Sequence, residues 1–350
     1  MRLGIIGLPQ SGKTTIFNAL SRGHQPLTTS GGRFDVHTGV VDVPDVRVDR
    51  LSELFKPKRT IYAKVTYADI AGLEGSHSAI SGQLLNQLTQ MEGLLHVVRC
   101  FEDVNVPHPS GSVNPLRDIA TMDAELLLND MIVVERKLER LADERRKGGG
   151  RERGVIDREI MLFERFKVAL SGEIPLREVE LTAEEERTLS GFGFLTRKPL
   201  LILLNLHEGQ EMPPVEYPHA HCSVVALQGK LEMEIAQLSP EDAGDFMVEY
   251  GIEELGLARV IRMSYDLLGL ISFFTVGSDE VRAWTIRRGA SAYEAAGEVH
   301  TDLQKGFIRA EVMPFDELIA LGGLKKGHLR LEGKEYVVHD GEIVHIRFNV

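Results

Sequence analysis

The sequence predicts an α/β protein: a parallel-type sheet covered by helices, with an α-helical hairpin inserted into it and a small α+β module after it. Three observations predict this fold. Apolar strand-like runs alternate with helical patterns along the chain, and a glycine-rich turn follows the first of these runs. From about residue 273, short β-like pieces surround one or two short helices.

The strands of the sheet are expected at apolar segments that helical patterns separate. These segments are residues 3–6, 61–68, 94–98 and 199–204, and a helical pattern at 14–20 follows the first one. Strands that alternate with helices in this way are typical of a parallel sheet with helices on its faces.

The hairpin is expected from two long helical patterns joined by a glycine break. Residues 124–141 carry apolar side chains at helical spacing, and a second pattern runs from Ile156 to Val168. Three consecutive glycines, 148–150, lie between them. We therefore expect two antiparallel helices with a flexible tip.

The C-terminal module is expected to contain several short strands. The strand-like pieces are residues 273–276, 282–286, 306–312, 336–338 and 343–348. Together the patterns predict four segments: the first part of the nucleotide-binding domain at 1–120, the hairpin at 121–195, the second part of that domain at 196–272, and the module at 273–350.

Composition excludes several classes of protein. The chain has 350 residues and a net charge of −12, and it contains no apolar run near the ~20 residues of a membrane span. Residues 1–7 carry one positive charge and read as a buried strand rather than a signal peptide. With only Cys100 and Cys222 and no CxxC pair, we expect a cytoplasmic protein with two structural thiols and no membrane partner.

A phosphate-binding loop is predicted at residues 7–14, whose sequence GLPQSGKT fits the pattern GxxxxGK[ST]. In such loops backbone N–H groups and a helix N-terminus face phosphate oxygens. Lys13 is expected to reach the β- and γ-phosphates and the Thr14 hydroxyl to bind Mg²⁺. The expected nucleotide-binding residues here are Gly7, Pro9, Gln10, Ser11, Gly12, Lys13, Thr14 and Thr15.

A second phosphate-sensing segment is predicted at Asp69-Ile70-Ala71-Gly72, where the second main strand ends. The Asp69 carboxylate is expected to hold Mg²⁺ through water, and the Gly72 N–H to contact the γ-phosphate. Lys13 and Gly72 are therefore the expected catalytic residues. Many related enzymes have a glutamine after this glycine to orient the attacking water, but Leu73 stands here, so either another group does so or hydrolysis is slow.

The base is expected to lie beside Asn205-Leu206-His207-Glu208, which follows the strand at 199–204. Guanine-specific proteins carry Asn-Lys-x-Asp at this point, and the aspartate accepts two hydrogen bonds from guanine. Glu208 replaces that aspartate and Leu206 replaces the lysine. The extra methylene displaces the carboxylate, which predicts weaker guanine recognition and makes adenine an alternative.

These residues resemble the YchF/Obg-like ATPase family, a branch of the Obg-related P-loop GTPases, over nearly the whole chain. Matching stretches are GVVDVPD (39–45), KPKRT (56–60), DIAGL (69–73), HVVRCFED (96–103), VRAWTI (281–286) and KGFIRAE (305–311). The resemblance implies a G domain interrupted by a helical hairpin, a C-terminal β-grasp module of the TGS type, preference for ATP over GTP, and association with ribosomes.

The sequence departs from the family pattern where the γ-phosphate is sensed. Gln10 and Ser11 replace Asn-Val in the phosphate loop, and residues 74–83 lack the usual lysines. No threonine aligns cleanly in the first switch, where Thr29 and Thr38 are nearest. Gln228 and Gly229 occupy the last base-contacting loop, which usually reads Ser-Ala-Lys.

Three hypotheses follow: an ATP-hydrolysing, ribosome-associated switch; a GTPase of the same fold; or a nucleotide-binding module with little turnover. Mg²⁺ is the expected cofactor, with ATP or GTP as the substrate. A ribosomal or structured-RNA partner is also expected, because residues 145–153 carry a local charge of +4 that can contact phosphates. The basic residues of this hairpin tip are Arg145, Arg146, Lys147, Arg151 and Arg153. The C-terminal module offers a second contact set at Arg282, Arg287, Arg288, Lys305 and Arg309.

Overall fold

The computed structural model describes residues 1–23, 36–70, 82–148, 150–250, 252, 254–325 and 327–349. The chain forms two compact units: Met1–Gly39 with Thr66–Leu257, and Val40–Val65 with Ala258–Val350. Residues 40–65 thus group with C-terminal residues, although the sequence patterns placed them in the first nucleotide-binding segment. The four boundaries drawn from the sequence stay predictions.

The first half of the chain supplies five strands and five helices within the described residues. In order they are β1 (Arg2–Ile6), α1 (Lys13–Ser21), β2 (Val36–Asp42), α2 (Val46–Phe55), β3 (Arg59–Ile61), β4 (Lys64–Ile70), α3 (Gly82–Thr89), β5 (Gly93–Arg99), α4 (Pro115–Lys147) and α5 (Arg153–Ser171).

The second half begins with a 3₁₀ turn at Leu176–Glu178. The elements after it are α6 (Ala183–Thr188), β6 (Leu200–Asn205), β7 (Cys222–Leu227), α7 (Gly229–Ala236), α8 (Pro240–Glu249), α9 (Gly256–Leu267), β8 (Leu270–Val276), β9 (Glu280–Arg287), α10 (Ala292–Val299), α11 (Thr301–Lys305), β10 (Phe307–Pro314), α12 (Phe315–Leu321), β11 (Arg330–Glu332) and β12 (Glu342–Phe348).

The first sheet has the strand order β2-β4-β1-β5-β6-β7. Strand β1 pairs in parallel with β4 and β5, and β5-β6 and β6-β7 are also parallel. Every residue of β5 and β6 is buried, as expected of strands covered on both faces. The predicted parallel-type α/β fold is confirmed, and the strands expected at 94–98 and 199–204 lie within one residue of β5 and β6.

The single strand predicted at 61–68 is wrong, because the chain there forms two strands in different sheets. Strand β3 pairs with β9 of the second sheet, and β4 pairs with β1 of the first. Between them, the Ala63 carbonyl accepts a 2.8 Å hydrogen bond from Val43 N–H. Side-chain alternation continues across this break, so the sequence pattern did not reveal the change of partner.

The hairpin consists of α4 and α5, which pack around buried aromatic side chains. Phe163, Phe166 and Phe194 form ring contacts with centroids 5.7–6.2 Å apart. Helix α4 begins at Pro115, nine residues before the predicted pattern, because the Asn114 side chain caps Arg117 N–H and proline suits the first helical turn. The helix ends at Lys147 and is followed by the C-cap Gly148 with φ 68°, and Gly149 lies outside the described residues.

The second sheet has the order β11-β10-β12-β8-β9-β3 and mixes parallel with antiparallel pairs. The piece predicted as a strand at 336–338 forms only an isolated bridge between Val337 and Ser291. Three short helices, α10 to α12, replace the one or two expected. Among the helices that the structure describes, none is long and apolar enough to cross a membrane.

Candidate nucleotide-binding site

The predicted phosphate loop joins the C-terminal end of β1 to α1. Gly12 has φ 93°, and a Cβ atom there would lie 2.3 Å from the Asn205 Nδ2 atom. A Cβ on Gly7 would lie 2.4 Å from the Val97 carbonyl oxygen. Glycine is therefore required at both positions by close approach and, at Gly12, by the left-handed backbone as well. Gln10, with φ 63°, also adopts a left-handed conformation.

Lys13 lies at the start of α1 with its ammonium group turned back over the loop. Its Nζ donates 2.9 Å hydrogen bonds to the Gly7 and Leu8 carbonyls. Burial lowers the pKa of Lys13 to about 8, although the charge of Asp69 opposes this shift. A cation that backbone carbonyls hold inside the loop is placed to contact phosphate oxygens.

Thr14 and Asp69 meet, as expected of two Mg²⁺-binding residues. The Thr14 hydroxyl donates a 2.9 Å hydrogen bond to Asp69 Oδ2, across 55 residues of chain. Burial raises the pKa of Asp69, whereas the Thr14 hydrogen bond and the charges of Lys13 and His37 lower it. A hydroxyl and a carboxylate side by side form an oxygen donor set that suits Mg²⁺.

Several predicted phosphate-sensing residues lie outside the described residues. These are Gly72, Leu73 and Thr29. Thr38 is described: it lies in β2 and is exposed. Its role in binding Mg²⁺ stays a prediction.

Asn205, at the end of β6, connects the phosphate loop to the start of α7. Its Nδ2 donates to the Ser11 carbonyl at 3.0 Å, and its Oδ1 accepts from Gly229 N–H at 3.2 Å. The side chain is buried. The structure therefore brings together three predicted site segments that are far apart in sequence: the phosphate loop, the base motif and the loop at 228–229.

The other members of the base motif differ sharply in exposure. Leu206 is 7% exposed and packs in the apolar cluster under the sheet with Val98 and Cys100, so little of it is available to a base. The Glu208 side chain is exposed. Gln228 immediately precedes α7 and is half-buried.

Ser11 faces inward rather than toward a ligand. Its hydroxyl is buried without a hydrogen-bond partner in the described part of the chain. It lies 2.8 Å from the position that a Gly7 Cβ would occupy. The side chains of Pro9 and Thr15 are half-buried and that of Gln10 is exposed. The role of Ser11 in binding the nucleotide stays a prediction.

Two buried polar residues on β5 were not among the predicted site residues. The ring nitrogens of His96 and the Arg99 Nη1 have no hydrogen-bond partner among the residues described. Burial, with a contribution from the charge of Lys13, lowers the pKa of His96 to about 3. The Arg99 guanidinium donates to the carbonyls of Phe101 and Val106. His96 lies inside the apolar pattern at 94–98 and Arg99 directly after it, and the pattern alone did not indicate a role for either.

The hairpin tip is less positive than its sequence suggested. Four of its five predicted basic residues form ion pairs with flanking acids. The pairs are Arg145–Asp157, Arg146–Asp143, Lys147–Asp143, Arg151–Glu144 and Arg151–Glu159. Residues 143–159 contain six basic and five acidic side chains, a net charge of +1. The value of +4 holds only for the narrower window 145–153, because the acids lie just outside it.

Two family models match the chain. Residues 2–137 match a family described as 50S ribosome-binding GTPase. Residues 270–349 match the YchF GTPase C-terminal family, which is described as a protein of unknown function.

Full-length relatives and a solved structure are also similar. The chain is 39% identical to the ribosome-binding ATPase YchF of Bacillus subtilis, with 99% of both chains covered. It is 40% identical to the protein of the same name from Escherichia coli O157:H7, with 100% of this chain and 99% of that one covered. The Schizosaccharomyces pombe YchF GTPase structure matches with a TM-score of 0.85 at 29% identity, covering 99% of this chain and 97% of that one. The chain therefore belongs to the YchF family of P-loop nucleoside triphosphatases.

Proposed function

We propose that this protein binds and hydrolyses ATP and acts as a ribosome-associated switch. The observation that carries the proposal is the convergence of Lys13, the Thr14–Asp69 pair and Asn205 on one phosphate loop. Relatives at 39–40% identity over the full chain are named ribosome-binding ATPases, which supports the same assignment here.

The triphosphate is held by the phosphate loop in this proposal. Backbone N–H groups of residues 7–15 and the Lys13 ammonium contact the phosphates. Thr14 binds Mg²⁺ directly and Asp69 binds it through water, which supplies charge neutralisation between the β- and γ-phosphates. The Gly72 N–H contacts the γ-phosphate.

The base lies between the Asn205–Glu208 loop and residues 228–229. The exposed carboxylate of Glu208 is the group that contacts the base edge, and Leu206 presents only the small exposed part of its side chain. Glutamate in place of aspartate moves the carboxylate outward by one methylene, which weakens the bidentate contact to guanine. We therefore propose that ATP binds at least as tightly as GTP.

Hydrolysis is slow without a partner in this proposal. The supporting observation is that Leu73 occupies the place of the water-orienting glutamine, since an aliphatic side chain cannot orient water. His77 is the alternative group in the same segment. The rival hypothesis, a binding module with little turnover, rests on the same substitution.

A ribosomal partner is proposed to contact the hairpin tip and the C-terminal module, which we assign to the TGS type. The tip ion pairs are mostly exposed, and exposed pairs contribute little stability. Their basic members can therefore exchange a carboxylate for an RNA phosphate at low cost. Arg282, which stacks 3.8 Å over the Trp284 ring, is a further contact in the module.

The proposal is tested by titrating the protein with labelled ATP and GTP and by single-turnover hydrolysis with Mg²⁺. Lys13→Ala should raise the Kd for ATP about 30-fold or more, as expected when a buried charge interaction worth about 2–5 kcal/mol is removed. Lys167→Ala, an exposed lysine of the hairpin, is the control.

Three outcomes separate the hypotheses. Equal ATP affinity of the wild type and Lys13→Ala would show that the phosphate loop does not bind the nucleotide. A tenfold preference of wild type for GTP would favour the GTPase alternative. Binding without any single-turnover product would favour the module with little turnover.

A further inference from the structure

The loop that carries Glu208 is closed by one residue, Gln210. The Gln210 Oε1 accepts a 2.9 Å hydrogen bond from His207 N–H. The Gln210 N–H donates to the His207 carbonyl at 3.1 Å. Between these residues Gly209 turns the chain with φ 70°. Glu208 therefore lies at the tip of a turn that both the backbone and the side chain of Gln210 close.

The other end of the same amide anchors this turn to the residue that follows β5. Gln210 Nε2 donates a 2.6 Å hydrogen bond to the Cys100 carbonyl, 110 residues away in sequence. Cys100 is itself held, because its N–H donates to the Asn205 carbonyl at 2.9 Å. The neighbouring Phe101 carbonyl accepts from Arg99 Nε at 3.0 Å. The residues that accept the Gln210 hydrogen bond and follow β5 are thus themselves held in place by hydrogen bonds.

The orientation of the Gln210 amide is determined by its partners. The oxygen faces an N–H donor and the nitrogen faces a carbonyl acceptor. The flipped amide would place two donors together on one side and two acceptors together on the other. An isosteric carboxylate cannot satisfy both partners, since it would place an oxygen against the Cys100 carbonyl.

We propose that Gln210 is a positioning residue that determines base specificity by holding the Glu208 turn against the end of β5. The inference rests on the proposed role of Glu208 in contacting the base. Within the described residues, the exposed Glu208 carboxylate has no partner of its own. Its position is therefore set by the backbone of residues 207–210, and affinity depends on that backbone being ordered before the base binds.

The test compares Gln210→Ala, Gln210→Glu and Glu208→Ala in the full chain. The ligands are ATP, GTP and tripolyphosphate, which has no base and reports on the phosphate loop alone. Gln210→Ala should raise the Kd for ATP about three- to tenfold, as expected for the loss of one or two hydrogen bonds. The ratio of the GTP and ATP dissociation constants should move toward that of Glu208→Ala, and the tripolyphosphate Kd should stay unchanged.

Gln210→Glu separates the hydrogen bond from the size of the side chain. It should weaken ATP binding as much as Gln210→Ala does, because its carboxylate repels the Cys100 carbonyl. Gln237→Ala removes an exposed glutamine after α7 and is the matched control, which should alter none of the three dissociation constants.

Three results would overturn the inference. If Glu208→Ala shifts the nucleotide ratio and Gln210→Ala does not, Gln210 does not position the turn, although the base assignment stands. If Glu208→Ala leaves the ratio unchanged, both the base assignment and this inference fail. A loss of tripolyphosphate binding in Gln210→Ala would mean a general structural role and would also overturn it.

Discussion

At the scale of single residues, the phosphate loop depends on the space that glycine leaves beside Asn205. That side chain occupies the position where any Cβ on Gly12 would lie, at 2.3 Å from its Nδ2 atom. The same Nδ2 donates to the Ser11 carbonyl. A side chain at Gly12 therefore displaces the residue that connects the loop to the base motif.

Gly12→Ala should abolish measurable ATP binding and lower the free energy of unfolding by about 1–3 kcal/mol, the usual cost of overpacking. The measurements are ATP titration and thermal unfolding. Gly148→Ala is the control, because Gly148 has φ 68° but open space around its Cβ position. The control should lose about 1 kcal/mol from backbone strain and keep ATP affinity. Normal ATP binding by Gly12→Ala would contradict the steric account.

His96 should make the stability of the first unit depend on pH. Its pKa is lowered to about 3 in the folded chain by burial and by the charge of Lys13, against about 6.5 when unfolded. Below pH 6.5 the unfolded state binds the proton and the folded state does not, so stability falls as pH falls from about 6.5 toward 3.

His96→Leu should remove this part of the pH dependence. Between pH 7.5 and 5.5 the wild type should lose about 1.4 kcal/mol more than the variant, the value expected for one such proton. Urea unfolding followed by circular dichroism at both pH values checks it. Equal losses in the two proteins would mean that His96 is not held neutral in the folded state.

At the scale of elements, a buried carboxylate of the hairpin binds the backbone that leads into β6. Asp130 of α4 is fully buried and accepts hydrogen bonds from Leu195 N–H, Thr196 N–H and the Thr196 hydroxyl, at 2.7–2.9 Å. These residues lie just before β6. The base of the hairpin is therefore firmly bound at the start of the strand that ends in Asn205, whereas its tip carries exposed, exchangeable ion pairs.

Changing Arg145, Arg146, Lys147, Arg151 and Arg153 to Ala should weaken ribosome co-sedimentation and reduce its salt dependence without altering ATP affinity. The salt dependence of binding steepens with each phosphate that the protein neutralises, so removing basic residues makes it shallower. Asp143→Asn with Glu144→Gln gives the opposite change, because it frees Arg146 and Lys147 from Asp143. Arg151 loses Glu144 and keeps only its pair with Glu159, and the double variant should bind more strongly. If all three proteins co-sediment with ribosomes equally across a salt series, the tip does not contact the ribosome and is only a solvated turn.

At the scale of the whole molecule, the chain leaves the first unit between the phosphate loop and Asp69 and then returns. Residues 40–65 belong to the second unit, where β3 extends the sheet beside β9. Arg47 strengthens this attachment: it pairs with Asp340 at 2.7 Å and lies 5.1 Å from the Phe274 ring centroid. Most of the segment between Thr14 and Asp69, the two residues predicted to bind Mg²⁺, is thus part of the C-terminal fold.

Arg47→Met should lower the free energy of unfolding of the second unit by about 1–2 kcal/mol, since it breaks charged hydrogen bonds in a half-exposed site. Trp284 of β9 is the only tryptophan in the chain, so its fluorescence reports on this unit during denaturation. Lys58→Ala, which removes a well-exposed pair with Asp279, should change stability by about 0–1 kcal/mol. An Arg47→Met midpoint equal to that of the wild type would contradict the proposed attachment.

The parts that sequence analysis predicted best are those made by neighbouring residues. The phosphate loop, the apolar strands β5 and β6 and the hairpin depend on local backbone geometry or on repeated burial, which leave patterns within short windows. The misassigned strand at 61–68 and the charge of the tip failed for the opposite reason. In both cases the decisive partner lay outside the short stretch of sequence that was considered. Strand β3 pairs with the distant β9, and the basic residues of the tip pair with acids such as Asp157.

By itself, the sequence determined the α/β class, the identity of the phosphate loop and the departures at Leu73 and Glu208, because these depend on residue types at fixed spacing. Only the tertiary structure decided that Asn205 joins two loops, that His96 is buried beside β1, and that Gln210 holds the Glu208 turn. Each of these contacts joins residues that are distant in the chain. They meet only because parallel strands place their ends side by side, and strand order is set by long-range packing rather than by any local pattern.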